Sequence, residues 1–318
     1  MNIIKTTVTL RRFYICLLFS LIISACQQSK KQASQSDQTD TISIHHQMGN
    51  TTVMKNPVRT VVLDIGALET MKELGIKSIG VSKKFLPEYL DDLRDDPDVS
   101  DVGSVIEPDF EAISALNPQL ILMSTRQERF YDELNEIAPT VFIGTQSKDY
   151  LPSFIQNVKL IARIFNQEEL AQSKIDSLVS KISNAQTKFN NDPNKGLFLI
   201  FNNGKFSAYG KGSRFGFIHD VTNIKPVMEL QDESVHGQRV SNELIAEANP
   251  DYLFIVDRNA AVLGRISSKT EVENQLIKQT KAFKNGKIFY LDPNVWFISG
   301  GGLTSVNLMV DDVLKLVK

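Results

Sequence analysis

One short pattern occurs twice in this chain and narrows the fold more than any other feature. Glu111-Ala-Ile-Ser-Ala-Leu-Asn117-Pro118 runs into Gln-Leu-Ile-Leu122, and Glu243-Leu-Ile-Ala-Glu-Ala-Asn249-Pro250 runs into Asp-Tyr-Leu-Phe254. In each copy a glutamate opens a helical stretch, Asn-Pro stops it, and an apolar, β-rich run follows. A helix feeding a buried strand is one unit of a parallel sheet. The repeat therefore predicts two related α/β lobes, with a coincidental match as the alternative.

The flanking segments agree. Val58–Leu63, Ser78–Val81, Leu120–Met123 and Thr140–Ile143 read as strands, with helices over Gly66–Leu74, Phe110–Leu116 and Gln127–Ile137 between them. In the second half, Leu197–Phe201 and Phe206–Tyr209 flank Asn202-Asn203-Gly204, a hairpin turn. Tyr252–Val256 and Lys287–Leu291 are further strands, and helices are expected over Phe215–Val221, Asn242–Ala248 and Leu303–Val317. Pro152–Phe165 suits one helix, and the apolar spacing of Leu170, Ile175, Leu178, Val179, Ile182 and Ala185 suits a longer one over Glu168–Phe189. A stiff helical connection between two lobes follows.

The first residues read as an address. Lys5, Arg11 and Arg12 precede an apolar run from Phe13 to Ile23, too short for the ~20 residues that span a bilayer. Ile23-Ser24-Ala25-Cys26 looks like a bacterial lipobox, with cleavage leaving Cys26 as an acylated N-terminus; a plain signal peptide with an incidental cysteine is the alternative. Gln27–Asp40 is almost all polar and should be a flexible tether. The expected organisation is a signal peptide over 1–25, a tether over 26–41, an N-terminal lobe over 42–151, a connecting helix over 152–190 and a C-terminal lobe over 191–318. Such a protein would sit on the cell membrane by its lipid, facing outward, or into the periplasm of a Gram-negative cell.

Composition excludes several functions. With 35 basic and 37 acidic residues the formal charge is −2, which gives no basic footprint for nucleic acid. Both cysteines, Cys16 and Cys26, lie in the leader region, so no disulfide or thiolate metal cluster is expected beyond it. There is no Gly-x-Ser-x-Gly elbow, no phosphate-binding Gly-x4-Gly-Lys-Ser/Thr loop and no His-Glu-x-x-His. Gly210-Lys-Gly212-Ser-Arg-Phe-Gly216 has one residue too many for a dinucleotide fingerprint. No enzyme reading survives well, and an exported metal-dependent enzyme is the least supported alternative.

The lipobox, the two lobes, the joining helix and the paired Glu/Asn-Pro elements together resemble the cluster with helical-backbone binding proteins of bacterial ABC importers, from about Ile42 to Lys318. Ser124-Thr-Arg126-Gln with Phe130-Tyr131, Ser213-Arg214-Phe215-Gly216 with His219-Asp220, His236-Gly237, Val256-Asp-Arg258-Asn259 and Leu291-Asp-Pro293 with Trp296 are similar to the branch that binds ferric catecholate siderophores of the enterobactin and petrobactin type. The resemblance implies two Rossmann-like lobes with a ligand cleft between them. It implies a monomer without intrinsic cofactor, Fe(III)-siderophore as the transported ligand, and an ABC permease dimer as partner. Haem or a hydroxamate siderophore on the same fold is the alternative.

A ferric catecholate is a compact anion with aromatic rings. Arginine suits it, being permanently charged, fork-shaped and able to stack. Arg126, Arg214 and Arg258 follow strands or open helices, at the sheet edge where open α/β folds bind ligands. Each alone is equally an ordinary surface arginine. Trp296 and Phe297, ahead of Gly300-Gly301-Gly302, could wall the site or belong to the core; Tyr131 and Phe215 are further candidate walls. The resemblance implies His236 as an iron ligand through the siderophore complex, against a solvated loop histidine. The branch pairs that histidine with a tyrosine next to the tryptophan, and here the stretch Asn294-Val295-Trp296-Phe297 holds no tyrosine. Glu111 and Glu243, one per lobe, are implied to dock on the permease; an acid placed in a first turn by the helix dipole is the plainer reading. His45 and His46 read as structural or solvated, and His219 as packed.

Overall fold

The structure, a computed structural model, describes residues 40–230 and 237–316. The predicted signal peptide, Cys26 and His236 lie outside the described residues. The chain opens with a hairpin, β1 (Thr41–His46) against β2 (Gly49–Met54), antiparallel throughout. Alternation buries Ile44, His46, Thr51 and Val53 on one face. This hairpin was not anticipated, and Thr41 belongs to it and not to the tether predicted over 26–41.

Short runs then become strands. β3 (Thr60–Val62), β4 (Gly80–Val81), β5 (Ser100–Asp101), β6 (Leu120–Met123) and β7 (Thr140–Phe142) form an all-parallel sheet in the order β5-β4-β3-β6-β7. Of these, β3, β4, β6 and β7 are buried on both faces, while the edge strand β5 is polar and partly exposed. A second sheet has the order β11-β9-β8-β12-β13, with β10 also pairing β8. Its strands are β8 (Lys195–Asn202), β9 (Lys205–Tyr209), β10 (Lys225–Pro226), β11 (Gln238–Val240), β12 (Tyr252–Asp257) and β13 (Ile288–Leu291). The expected hairpin joins β8 to β9, with Asn203 and Gly204 at φ 48° and 77° as a two-residue turn of that hand requires.

Among the helices used below, α1 is Ile65–Glu73, α2 Phe110–Ala115, α3 Tyr150–Ile164, α4 Glu168–Asn190, α5 Asn242–Ala248 and α6 Leu303–Leu316. The sequence repeat is a structural one. α2 and α5 both end at an asparagine with φ 48°, Asn117 and Asn249, where the left-handed region suits asparagine. Each then feeds a central parallel strand, β6 or β12. The helix expected from Gln127 begins instead as a 3-10 turn, Thr125–Phe130, before an α-helix over Tyr131–Ile137.

The connecting helix over 152–190 is two helices. α3 and α4 are separated at Asn166, whose φ is 52°. At 23 residues α4 is ~35 Å long. The lobes are also joined a second time: α6 packs on α1 of the N-terminal lobe and on α4. One buried cluster accordingly runs from Val62 and Leu122 through Ile175, Ile182, Val306 and Val310 to Phe198 and Phe254.

Candidate functional site

The carboxyl ends of both sheets supply the site. After β3, Asp64 caps α1: its Oδ1 accepts from the Ala67 amide at 2.8 Å and its Oδ2 from the Ser124 hydroxyl at 2.6 Å. After β6, Ser124 opens the 3-10 turn that carries Arg126. Buried Gln127 clamps that turn, its Oε1 accepting from the Ser124 amide and its Nε2 donating to the Leu63 and Val105 carbonyls. After β13, Asn294–Ser299 forms a π-helical turn closed by Gly300 at φ 68°. Such wide turns re-aim backbone carbonyls, and they recur at functional sites.

These segments enclose a cavity of about 250 Å³. The N-terminal lobe lines it with Asp64, Ser124, Arg126 and Tyr150, the C-terminal lobe with Arg214, Phe215, Trp296, Phe297 and the Ser299–Gly301 strap. The two lobes meet through carbonyls of the π-helical turn and of Gly300. Arg126 donates from Nη2 to the Phe297 and Ile298 carbonyls at 3.0 and 3.4 Å, Arg214 to the Phe297 carbonyl at 3.4 Å, and the Tyr150 hydroxyl to the Gly300 carbonyl at 2.6 Å.

Two guanidiniums from opposite lobes thus converge on one carbonyl oxygen. Burial lowers the pKa of Arg126, against the charge of Asp64, which favours its ionised form. Burial, then the neighbouring Arg126 charge, pushes Arg214 down to about 10. Among the described residues neither arginine, nor Arg258, has a carboxylate within ion-pair distance. Asp64 is the one acid among the lining residues, so the cavity carries net positive charge. A half-buried cationic pair of this kind is costly unless an anion joins it.

Beneath the Arg214 guanidinium lies an aromatic stack. Phe215 is nearly parallel to Phe198 at 5.5 Å and to Phe297 at 5.9 Å. Arg214 sits 4.8 Å from the Phe215 centroid and 5.4 Å from that of Phe297. Arg258 is outside the lining and reaches the edge of the site 5.9 Å from the Phe297 ring.

The remaining sequence candidates fall elsewhere. Trp296 is only 2% exposed: its indole N–H donates to Asp312 at 2.9 Å and its ring packs on Phe198 and Phe217, so it backs the cavity from the core. Tyr131 is not among the lining residues, because it packs edge-on against His46 at 5.8 Å, under the β1–β2 hairpin the sequence had not revealed. His219 is packed, as expected, with Nδ1 bonded to the Ile224 carbonyl at 2.7 Å and its pKa pushed down to about 4 by burial. His45 is exposed and His46 buried on Thr51. Glu111 and Glu243 are exposed in the first turns of α2 and α5, capped by Asp109 and Ser241. Asp64, Ser124, Gln127 and Tyr150 were missed. Asp64 could have been found as a capping acid between a strand and a helix; Gln127 and Tyr150 carry no sequence signal for the site.

This arrangement can clasp an anion bearing flat rings. Among the described residues no group of three His, Cys, Asp or Glu side chains is placed to hold a metal ion.

The sequence profile of the periplasmic binding proteins matches residues 61–295. The chain is 39% identical over 308 residues to the petrobactin-binding protein YclQ of Bacillus subtilis, covering 94% of this chain and 96% of that one. The crystal structure of YclQ superposes with a TM-score of 0.85, covering 88% and 99% of the two chains. The ferric-anguibactin-binding protein FatB of Vibrio anguillarum is 33% identical over 318 residues, 98% of each chain. The catecholate-siderophore binding protein VctP of Vibrio cholerae superposes at a TM-score of 0.83 with 32% identity, covering 87% of this chain and all of that one.

Proposed function

The chain belongs to the periplasmic binding protein family, whose members carry solutes and do not turn them over, and from that premise we propose that its cleft captures a ferric siderophore of the catecholate type. The protein works outside the cytoplasm and hands its cargo to an ABC permease. The observation that carries the ligand class is the pair Arg126 and Arg214: half-buried, without a carboxylate partner among the described residues, and sharing the Phe297 carbonyl, with Arg214 set over the Phe215–Phe297 stack.

The physics runs from charge to shape. A ferric catecholate brings delocalised negative charge, which meets two guanidiniums in a site of low dielectric. Its rings are planar, and the Phe215 and Phe297 faces and the guanidinium planes are surfaces for stacking. Hydroxamate complexes and haem satisfy one of these demands better than both. No tyrosine stands beside Trp296, so the Asn294–Phe297 stretch supplies no phenolate to the iron. Chelators that fill the iron shell themselves therefore suit the cleft best, with His236 as the remaining candidate ligand.

Two further parts belong to this proposal. Acylation at Cys26 anchors the protein to the membrane, and it works there as a monomer. Glu111 and Glu243, exposed at equivalent places in the two lobes, dock on the two-fold permease by charge complementarity.

Titrating the fluorescence of Trp296, the one tryptophan of the chain and a lining residue, tests the ligand class. Ferric catecholates should quench it with sub-micromolar response, while ferric hydroxamates and haem should act far more weakly. A preference for haem or hydroxamate would reject the catecholate reading.

A further inference from the structure

Directly behind the cavity wall lies a carboxyl group that ligand contact does not explain. Glu69, on α1, is fully buried. Its Oε1 accepts from the Ser305 amide at 3.1 Å and from the Ser305 hydroxyl, and its Oε2 accepts from the Tyr89 hydroxyl at 2.8 Å. Ser305 lies in the first turn of α6, three residues after Gly302. The strap shows one side to the cavity and presses the other on α1. A Cβ on Gly66 would lie 2.6 Å from the Gly301 carbonyl carbon, and one on Gly302 would overlap Glu69 and the Gly66 carbonyl. Thr70 and Glu73 extend the seam, accepting from the Leu303 amide at 3.2 Å and the Thr304 hydroxyl at 3.1 Å.

We propose that Glu69 is a positioning residue for the cleft, a proton-operated clip that fixes the Ser299–Ser305 strap against α1 and so sets how well the site holds its anion. This rests on the anion-binding reading of the cleft.

The groups facing Glu69 explain why a proton matters. They are the hydroxyls of Ser305 and Tyr89, the nearby Ser299 hydroxyl, which reaches no hydrogen-bond geometry, the phenol of Tyr150, and, one turn on along α1, Glu73. Glu73 is itself paired with Lys174 at 2.6 Å, so it lends Glu69 no cation. Burial accordingly outweighs the hydrogen bonds and raises the carboxyl to about 7. When protonated, Glu69 can donate to the Ser305 oxygen. Ser305 then turns its own hydrogen to the Gly302 carbonyl, already 3.3 Å away. When ionised, Glu69 takes the Ser305 hydrogen back and places a bare negative charge behind a site built for an anion. The strap is therefore held best, and the anion bound best, on the acid side of neutrality.

The test compares the wild-type chain with Glu69→Gln at pH 5.5 and 8. Hydrogen exchange of residues 299–305, corrected for intrinsic rates, reads the clip without ligand. Titration with ferric tris-2,3-dihydroxybenzoate reads the cleft. In the wild type, protection of the strap and affinity should both fall by on the order of tenfold at pH 8 relative to pH 5.5. In Glu69→Gln both should hold near the acid-side values. Parallel pH profiles in the two proteins would overturn the proposal. If Glu69→Gln does not fold, Tyr89→Phe removes one donor to the ionised carboxyl and should move the wild-type step to higher pH; an unmoved step would overturn it equally. A strap that responds while no ferric catecholate binds would reject the ligand reading and keep the clip. Tight binding with no pH step in either readout would do the reverse.

Discussion

Replacing Arg214 with methionine should stabilise the free protein and weaken its grip on ligand. Burial and the Arg126 charge lower the Arg214 pKa from the ordinary guanidinium range to about 10. The charged form is thus disfavoured in the fold by about 3 kcal/mol, at 1.36 kcal/mol per pH unit. Since the folded value lies below the unfolded one, this cost is fully present at any pH below about 10 and fades only as pH rises above it towards the unfolded value. Methionine keeps an unbranched stem over Phe215 and removes the charge. Lost against it are the cation–π contacts with Phe215 and Phe297, worth about 0.5–1 kcal/mol each. The net gain is about 1–2 kcal/mol, or about 2–6 °C in Tm for a chain of this size. Binding moves the other way. Losing one charge-assisted contact costs about 1.5–3 kcal/mol, a tenfold to hundredfold rise in Kd for a ferric catecholate. Thermal melts of the unliganded protein and Trp296 quenching measure the two arms. A variant that melts several degrees lower, or that binds as tightly as wild type, would show that Arg214 is a structural cation and that the charge argument is wrong.

Other consequences are open to direct measurement. Gly302→Ala should cost about 1–3 kcal/mol or more, because its Cβ has no room beside Glu69 and Gly66, whereas Gly301→Ala, facing only the Thr145 hydroxyl at 3.1 Å, should cost far less; equal melts would contradict the seam. His219, pushed down to about 4, stays neutral in the fold while the unfolded imidazole protonates near 6.5, so it should remove up to about 3 kcal/mol of stability as pH falls from 6.5 to 4. Urea unfolding of His219→Gln should lack that component, and an unchanged acid slope would refute it. Reversing Glu111 and Glu243 together to arginine should leave melting and ligand affinity within error of wild type yet cut permease-dependent iron uptake by about tenfold or more; normal uptake would discard the docking role.

Much of the fold was legible because its strands announce themselves. Buried parallel strands are short unbroken apolar runs, and the Asn-Pro stops before Leu120 and Tyr252 leave little choice of boundary. The β1–β2 hairpin was not legible: Thr41–Met54 alternates only weakly, and its burial depends on a partner, Tyr131, far along the chain. The same hairpin explains why Tyr131 turned out to be a packing residue. For the cleft, two of the three arginines read after strands, Arg126 and Arg214, line the cavity and Arg258 does not, since a strand's carboxyl end fixes where the next residues start but not how far a side chain reaches. The strap was different. Gly300-Gly301-Gly302 suggested a close backbone approach, but the approach to a ligand and the approach to α1 look alike in sequence, and Glu69 reads as one more polar residue in an amphipathic helix. Only tertiary packing separates them.

The return of α6 onto α1 bears on how the protein reaches its working form. Leu303 and Ser305 bond to Thr70 and Glu69, more than two hundred residues earlier in the chain. The first lobe therefore lacks a piece of its interior until the last segment arrives. A polypeptide threaded across a membrane from its beginning would emerge with that surface uncovered and stay unfinished until its tail had crossed. Folding becomes an event of the whole secreted chain, slow to start because its closing contacts are so distant. Truncations that spare every cleft residue but trim the final helix should still yield a protein that cannot close.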